Sequence, residues 1–172
     1  MSDALPFSHI YNLNRLGQAG DEVCLELGET ERAALARFAG VLRIEAFRAA
    51  ITLAKLSADR FRLEFAIDTD LVQACVVTLV DVPSHIQCRF TRDLHFSAAL
   101  KREGVVDVPL DDDIPEEIDS LHYDLAAPLT EEFILALDPY PRAPGVEFRA
   151  PTAADPPPES PFAVLKGLKS GP

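Results

Sequence analysis

Cysteine is scarce in this chain. Only Cys24, Cys75 and Cys88 occur among 172 residues. An odd and sparse set of this kind argues against a disulfide framework and suits a reducing compartment. Long apolar runs are missing too, since none approaches the roughly 20 residues that a membrane helix needs. The opening stretch MSDALPFSHIYNLNR has neither the basic start nor the apolar block of a secretory signal. The expectation is a cytoplasmic protein with no membrane contact. Catalytic signatures are also absent: there is no G-x-S-x-G, H-E-x-x-H, Walker loop or G-x-G-x-x-G. The histidines, His9, His85, His95 and His122, are scattered. Residue chemistry therefore gives no support to an enzyme, a cofactor or a small-molecule substrate.

Positive charge is missing from one region in particular. Residues 1–102 hold 13 acids and 12 bases, a net of −1, and residues 143–172 hold 3 of each. Residues 103–142 hold 12 acids and one base, Arg142, a net of −11, so this segment carries nearly all of the overall −12. A run such as DVPLDDDIPEEIDSLHYD is most simply a solvated acidic loop. Its sharper reading is a patch, with Asp111, Asp112, Asp113, Glu116 and Glu117 at its centre, that attracts a basic partner or repels a polyanion.

What is present is a core. The apolar fraction of 48% fits one soluble domain. Residues 10–16 and 22–27 alternate about Gly17 and Gly20, as two short strands would. A helix is expected next, with Thr30 as N-cap, Glu31 near the positive end of its dipole, Ala34, Leu35 and Phe38 at helical spacing, and Gly40 as the stop. The period then changes to two. VLRIEAFRAAITLAKL (41–56) is strand-like with a phase slip near Ala49–Ala50, read as a bulge or bend. FRLEFAI (61–67) places Phe61, Leu63, Phe65 and Ile67 on one face. SHIQCRFTRDLHF (84–96) does the same with Ile86, Cys88, Phe90, Leu94 and Phe96, with Arg92 as the odd member. LVQACVVTLV (71–80) is apolar on both parities, as a strand covered on both sides would be, and DVPS (81–84) reads as the turn after it. A second helix, capped by Asp124 or Thr130, carries Glu131 and Glu132 early and FILAL (133–137) as its apolar body, and is stopped by Pro139 and Pro141. Beyond it, residues 143–160 are rich in proline and alanine and read as a disordered linker. Residues 161–169 read as a short amphipathic motif around Phe162, Leu165 and Leu168.

The fold class expected is α+β: one domain over residues 5–142, built on an antiparallel sheet, open or barrel-like, with two main helices and a disordered C-terminal tail.

Three chemistries compete for the cysteines. Zinc wants four thiolate or imidazole ligands in close pairs. The one such pair, His85 and Cys88, has an offset of three, which puts the two side chains on opposite faces of a strand. A hairpin about the 81–84 turn would set Cys75 opposite Cys88 or Arg89, within bridging range. Neither thiol, however, sits in a setting that lowers its pKa, and buried free cysteine is a common packing residue. Packing is the favoured reading, with no metal and no redox pair. The remaining class is nucleic-acid binding. Arginines of the β region, Arg60, Arg62 and Arg89 among them, can collect on one polar face and contact phosphates. The overall charge opposes sequence-independent RNA affinity.

The order CVVTLVDVPSHIQCRFTRDLHF, acidic linker, LAAPLTEEFILALDPYPRAPG and PFAVLKGLK resembles the bacterial YceD family, described as large ribosomal RNA subunit accumulation proteins. The resemblance runs from about residue 5 to residue 169. It implies a role in making or keeping large-subunit (23S) ribosomal RNA, without a known catalytic site. It matches Cys75 to the cysteine of the family's C-x-x-C or C-V-V-T block, and places Thr78 where many relatives carry a second cysteine. Glu131, Glu132, Leu135, Leu137, Pro139 and Pro141 match the E-E-hydrophobic-L-P-x-P segment. Relatives with paired cysteines often add more just after that segment, which implies a metal knuckle in them. DPYPRAPGVEF has none here, so the resemblance implies no metal in this chain. The expectation is a non-enzymatic ribosome-biogenesis factor whose partner is a basic ribosomal or assembly protein, or large-subunit RNA. Its rivals are an RNA-binding protein using the arginine-bearing face and, at a distance, a thiol-dependent enzyme or nuclease.

Overall fold

The structure is a computed structural model and describes residues 5–97 and 115–147. Three long strands dominate it: β3 (Arg43–Lys55), β4 (Arg60–Ala74) and β5 (Asp81–Phe96). With β2 (Asp21–Glu26) and β6 (Glu116–Ile118) they form a five-stranded sheet ordered β2-β3-β4-β5-β6. All pairs are antiparallel except β5–β6, which is parallel. β1 (Ile10–Asn12) and β7 (His122–Asp124) pair separately. α1 (Glu29–Ala39) and α2 (Ala126–Ala136) complete an α+β fold. β2 and β6 lie at the two ends of the order, so the sheet is open and the barrel-like alternative does not apply.

The period of two makes one face of this sheet the core. Phe61, Leu63, Phe65 and Ile67 of β4 are buried, as are Phe47, Ala49, Ile51 and Leu53 of β3. α1 packs on β3, and α2 delivers Phe133 edge-on to Phe47, with ring centroids 5.6 Å apart. Phe65 and Phe90 stack across β4–β5 at 4.6 Å. Each such aromatic pair adds about 0.5–1.5 kcal/mol beyond its burial.

Helix ends follow local chemistry. Gly40 ends α1 with φ 71°, a left-handed conformation that costs glycine little. The N-cap of α1 is Gly28 rather than Thr30. The Glu31 carboxylate accepts from the Gly28 N–H at 2.9 Å, one half of a capping box whose other half a glycine cannot supply. Phe38, expected on the packed face, is exposed. Asp124 does serve the start of α2, accepting from the Ala126 N–H at 3.0 Å and the His9 N–H at 2.8 Å. Thr130 lies inside the helix, buried, and its Oγ1 has no hydrogen-bond partner among the described residues.

Three expectations about the strands are corrected. Residues 10–16 are not one strand, because Leu13–Arg15 form a 3-10 turn after β1. The bulge lies between Ile44 and Ala46, not at Ala49–Ala50. There the buried Thr69 hydroxyl donates to the Ala46 carbonyl at 2.7 Å, beside the register shift. The turn between β4 and β5 is residues 75–80, and residues 81–84 already belong to β5. Leu79 N–H donates to Cys75 O, and Cys75 N–H to Val80 O, both at 2.9 Å. Leu71, Val72 and Gln73 are buried in succession, so double coverage is real but stops there. The register this turn imposes places Cys88 opposite Ile67, and Cys75 faces no cysteine.

Candidate interaction surfaces

The turn after β4 is locked to the chain that follows α2. Gln73 Nε2 donates to Asp138 O at 2.9 Å, Val76 N–H to Pro141 O at 2.9 Å, and Ala143 N–H to Cys75 Sγ at 3.4 Å. The cysteine block and the Pro139–Pro141 segment, which the family resemblance singled out separately, thus form one junction. At its centre Cys75 is inaccessible to solvent. Its thiol pKa is lowered to about 6, first by a hydrogen bond from the Thr78 side chain and then by the Ala143 N–H, against a smaller opposing effect of burial. Cys75 is thus buried, as the packing reading expects, and its sulfur also accepts hydrogen bonds, which that reading did not include. The signal was not local: one donor comes from a turn read as strand, the other from 68 residues away.

The other two cysteines differ. Cys88 is half-buried on the core face, its thiol pushed up by burial and by the nearby Glu132 carboxylate. Cys24 is exposed on the solvent face. Among the described residues, no group of three or more His, Cys, Asp or Glu side chains is arranged to hold a metal ion.

The solvent face of the sheet carries the arginines. Arg62 grips Asp93 through two bonds of 2.7 Å, Arg43 reaches Asp81 at 2.7 Å and Glu45 at 3.2 Å, and Arg48 lies 3.6 Å from Glu26. Arg60 is exposed at the start of β4. Arg89 has no ion pair among the described residues. Against these five stand Glu22, Glu26, Glu45, Glu64, Asp68, Asp70, Asp81 and Asp93, so the face is acidic on balance. His85 sits between two of those carboxylates, 2.8 Å from Asp70 and 3.8 Å from Asp68. Arg92 points to the other face, toward Glu131 at 3.5 Å and over the Phe90 ring.

Of the acidic candidates, Glu116 and Glu117 lie among the described residues. Glu116 and Glu117 are exposed on β6, and Glu116 accepts from the Tyr123 hydroxyl at 3.2 Å. Burial first, and then the Glu116 charge, hold the Tyr123 hydroxyl well above the usual tyrosine range. Glu132 is half-buried, Leu135 is exposed on α2, and Pro141 is buried in the junction. Asp111, Asp112 and Asp113, the motif around Phe162, Leu165 and Leu168, and the disordered-tail reading from residue 148 onward lie outside the described residues.

Register assembles one further feature that no single residue announced. Cys24, Ala50, Ala66 and Arg89 stand side by side across β2, β3, β4 and β5. The small pair in the middle floors a groove of about 730 Å3 on the solvent face, walled by Glu26, Arg48, Asp68 and Gln87.

The described residues thus form an open-sheet α+β module with two notable surfaces, a hydrogen-bonded loop junction and a grooved, acidic sheet face. The family model described as "Large ribosomal RNA subunit accumulation protein YceD" matches residues 63–169, more than half of the chain, and the chain belongs to that family. The match includes the junction and most of β4 and β5, and leaves out β1, β2, α1 and β3. No curated protein and no solved structure matches. No helix among the described residues is long and apolar enough to cross a membrane.

Proposed function

We propose that this protein supports accumulation of large-subunit ribosomal RNA in the cytoplasm as a non-enzymatic assembly factor, by binding a basic ribosomal or assembly protein. The family description supplies the process. The carrying observation for the partner is the charge of the sheet face: Arg43, Arg48 and Arg62 are engaged by carboxylates, Arg60 and Arg89 have no ion pair among the described residues, and eight carboxylates outnumber the five guanidiniums. Phosphate binding works by releasing counterions with free positive groups. A face of this kind attracts lysine- and arginine-rich protein instead, and the exposed Glu117, level with His95 at the edge of the sheet, adds to the same field. Binding through exposed charges weakens as salt shortens the Debye length to about 3 Å at 1 M.

The test is a pull-down of acid-extracted large-subunit proteins by the full chain at rising salt, beside binding of protein-free large-subunit RNA. Capture of basic proteins that falls away with salt supports the reading. Capture unchanged at high salt, or tighter binding of the RNA that is lost when Arg60 and Arg62 are reversed to Glu, counts against it. In cells, loss of the chain lowers large-subunit RNA relative to small-subunit RNA; an unchanged ratio contradicts the proposed process.

A further inference from the structure

Alanine is depleted in strands because it packs poorly on a pleated surface. Ala50 and Ala66 are nevertheless direct neighbours at the centre of the two long strands, on the face that does not need small residues for the core. The rows on either side are built of longer side chains. One row, Glu26, Arg48, Asp68 and Gln87, is satisfied within itself: Gln87 Nε2 donates to Asp68 at 2.6 Å, and Arg48 faces Glu26. The other row, Glu22, Thr52, Glu64 and Thr91, is not, since neither Glu22 nor Glu64 has an ion pair among the described residues. The alanines therefore leave a trough with one closed rim and one rim of free carboxylates and hydroxyls. Departures from local rules that bring no packing gain are expected where a surface is used.

The dimensions match a helix. The two rims are four residues apart along each strand, about 13 Å, and the trough crosses three strand spacings, about 14 Å. An α-helix with its side chains is about 10–12 Å across. Free carboxylates along the open rim select for positive charge and repel phosphate. Arg89, at the β5 end, is placed to meet a helix C-terminus or an acidic group of the occupant.

We propose that the alanine-floored groove on the solvent face of the sheet receives a lysine- or arginine-bearing helix of the partner protein, with a small apolar side chain seated on Ala50 and Ala66 and basic side chains along Glu22 and Glu64. This rests on the reading of the partner as a basic protein and adds the site where it docks.

A photo-crosslinking amino acid at Thr52, on the open rim, tests it in the full chain, with acid-extracted large-subunit proteins as one probe and protein-free large-subunit RNA as the other. The inference expects adducts to basic proteins. It expects their yield to fall by about tenfold or more when the floor is filled (Ala66→Tyr) or the open rim reversed (Glu22→Lys with Glu64→Lys). The charge pair keeps the test valid if Ala66→Tyr fails to fold, because both glutamates are exposed. Adducts that persist in both folded variants overturn the site, as do adducts to RNA or to residues 98–114 or 148–172 of this chain. The same variants returned to cells separate the two levels. If loss of the chain lowers large-subunit RNA but the groove variants restore it fully, the groove is wrong and the functional reading stands. If loss of the chain has no effect, the functional reading itself fails.

Discussion

β4 shows two designs on one strand. Its odd positions, Phe61, Leu63, Phe65 and Ile67, are buried beneath helices and rings, and its even positions, Arg62, Glu64, Ala66 and Asp68, face solvent among charges. The inner face is constrained by volume, so each residue there is explained once its neighbours are known. The outer face is constrained by little beyond strand propensity and charge pairing. A departure on the inner face, such as a half-buried Cys88, has a packing explanation. A departure on the outer face, such as Ala50 beside Ala66, has none, and for that reason it carries information about use.

The sharpest way to break this contrast is to remove volume inside. Phe133→Ala takes a fully buried ring from its contact with Phe47 and should destabilise the protein by about 3–5 kcal/mol, read from urea unfolding. A loss as small as that of a surface substitution would mean that α2 does not close the core.

The junction comes next, through pH. The Cys75 thiol is lowered from 9.0 to about 6 in the folded protein. A depressed pKa contributes stability that is fully present above the unfolded value and is lost as pH falls through the folded one. Unfolding free energy should therefore rise between about pH 6 and pH 9 in the parent chain. In Cys75→Ala the rise over that window should be absent, and in Thr78→Val, which lacks the largest favourable hydrogen bond, it should be reduced. Identical slopes in parent and Cys75→Ala would remove the hydrogen-bonded thiolate from the account.

The smallest effect is expected outside. Arg62 and Asp93 make two short bonds, yet both are exposed to water and salt. A double-mutant cycle with Arg62→Ala and Asp93→Ala should give a coupling of less than about 1 kcal/mol, shrinking as salt is added. A coupling of several kcal/mol would make the outer face a structural element and weaken the case that its charges are arranged for a partner.

The contrast also explains what could be read in advance. Alternation over Phe61–Ile67 and Ile86–Phe96 located β4 and β5 because a buried face imposes a strict period, and Gly40 located the end of α1 because the left-handed cap favours glycine. The 75–80 turn was hidden, because its residues other than Thr78 are apolar and its one left-handed residue is Leu79, which carries no turn signal. The resemblance placed Cys75 and Thr78 in one motif. It did not place Ala143 beside them, since that contact joins residues far apart in the chain. The groove was illegible for a related reason: Ala50 and Ala66 are unremarkable until register sets them side by side.

On the proposed function, the acidic sheet face meets protein and not RNA. Ultraviolet and chemical cross-linking in the same cells, read by RNA sequencing and by mass spectrometry of the cross-linked peptides, tests it most directly. Protein cross-links from basic partners are expected on peptides of β2, β3 and β4 that contain Glu22, Thr52 or Glu64. RNA cross-links concentrated on the peptides holding Arg60, Arg62 and Arg89, with no protein partner on that face, would contradict it.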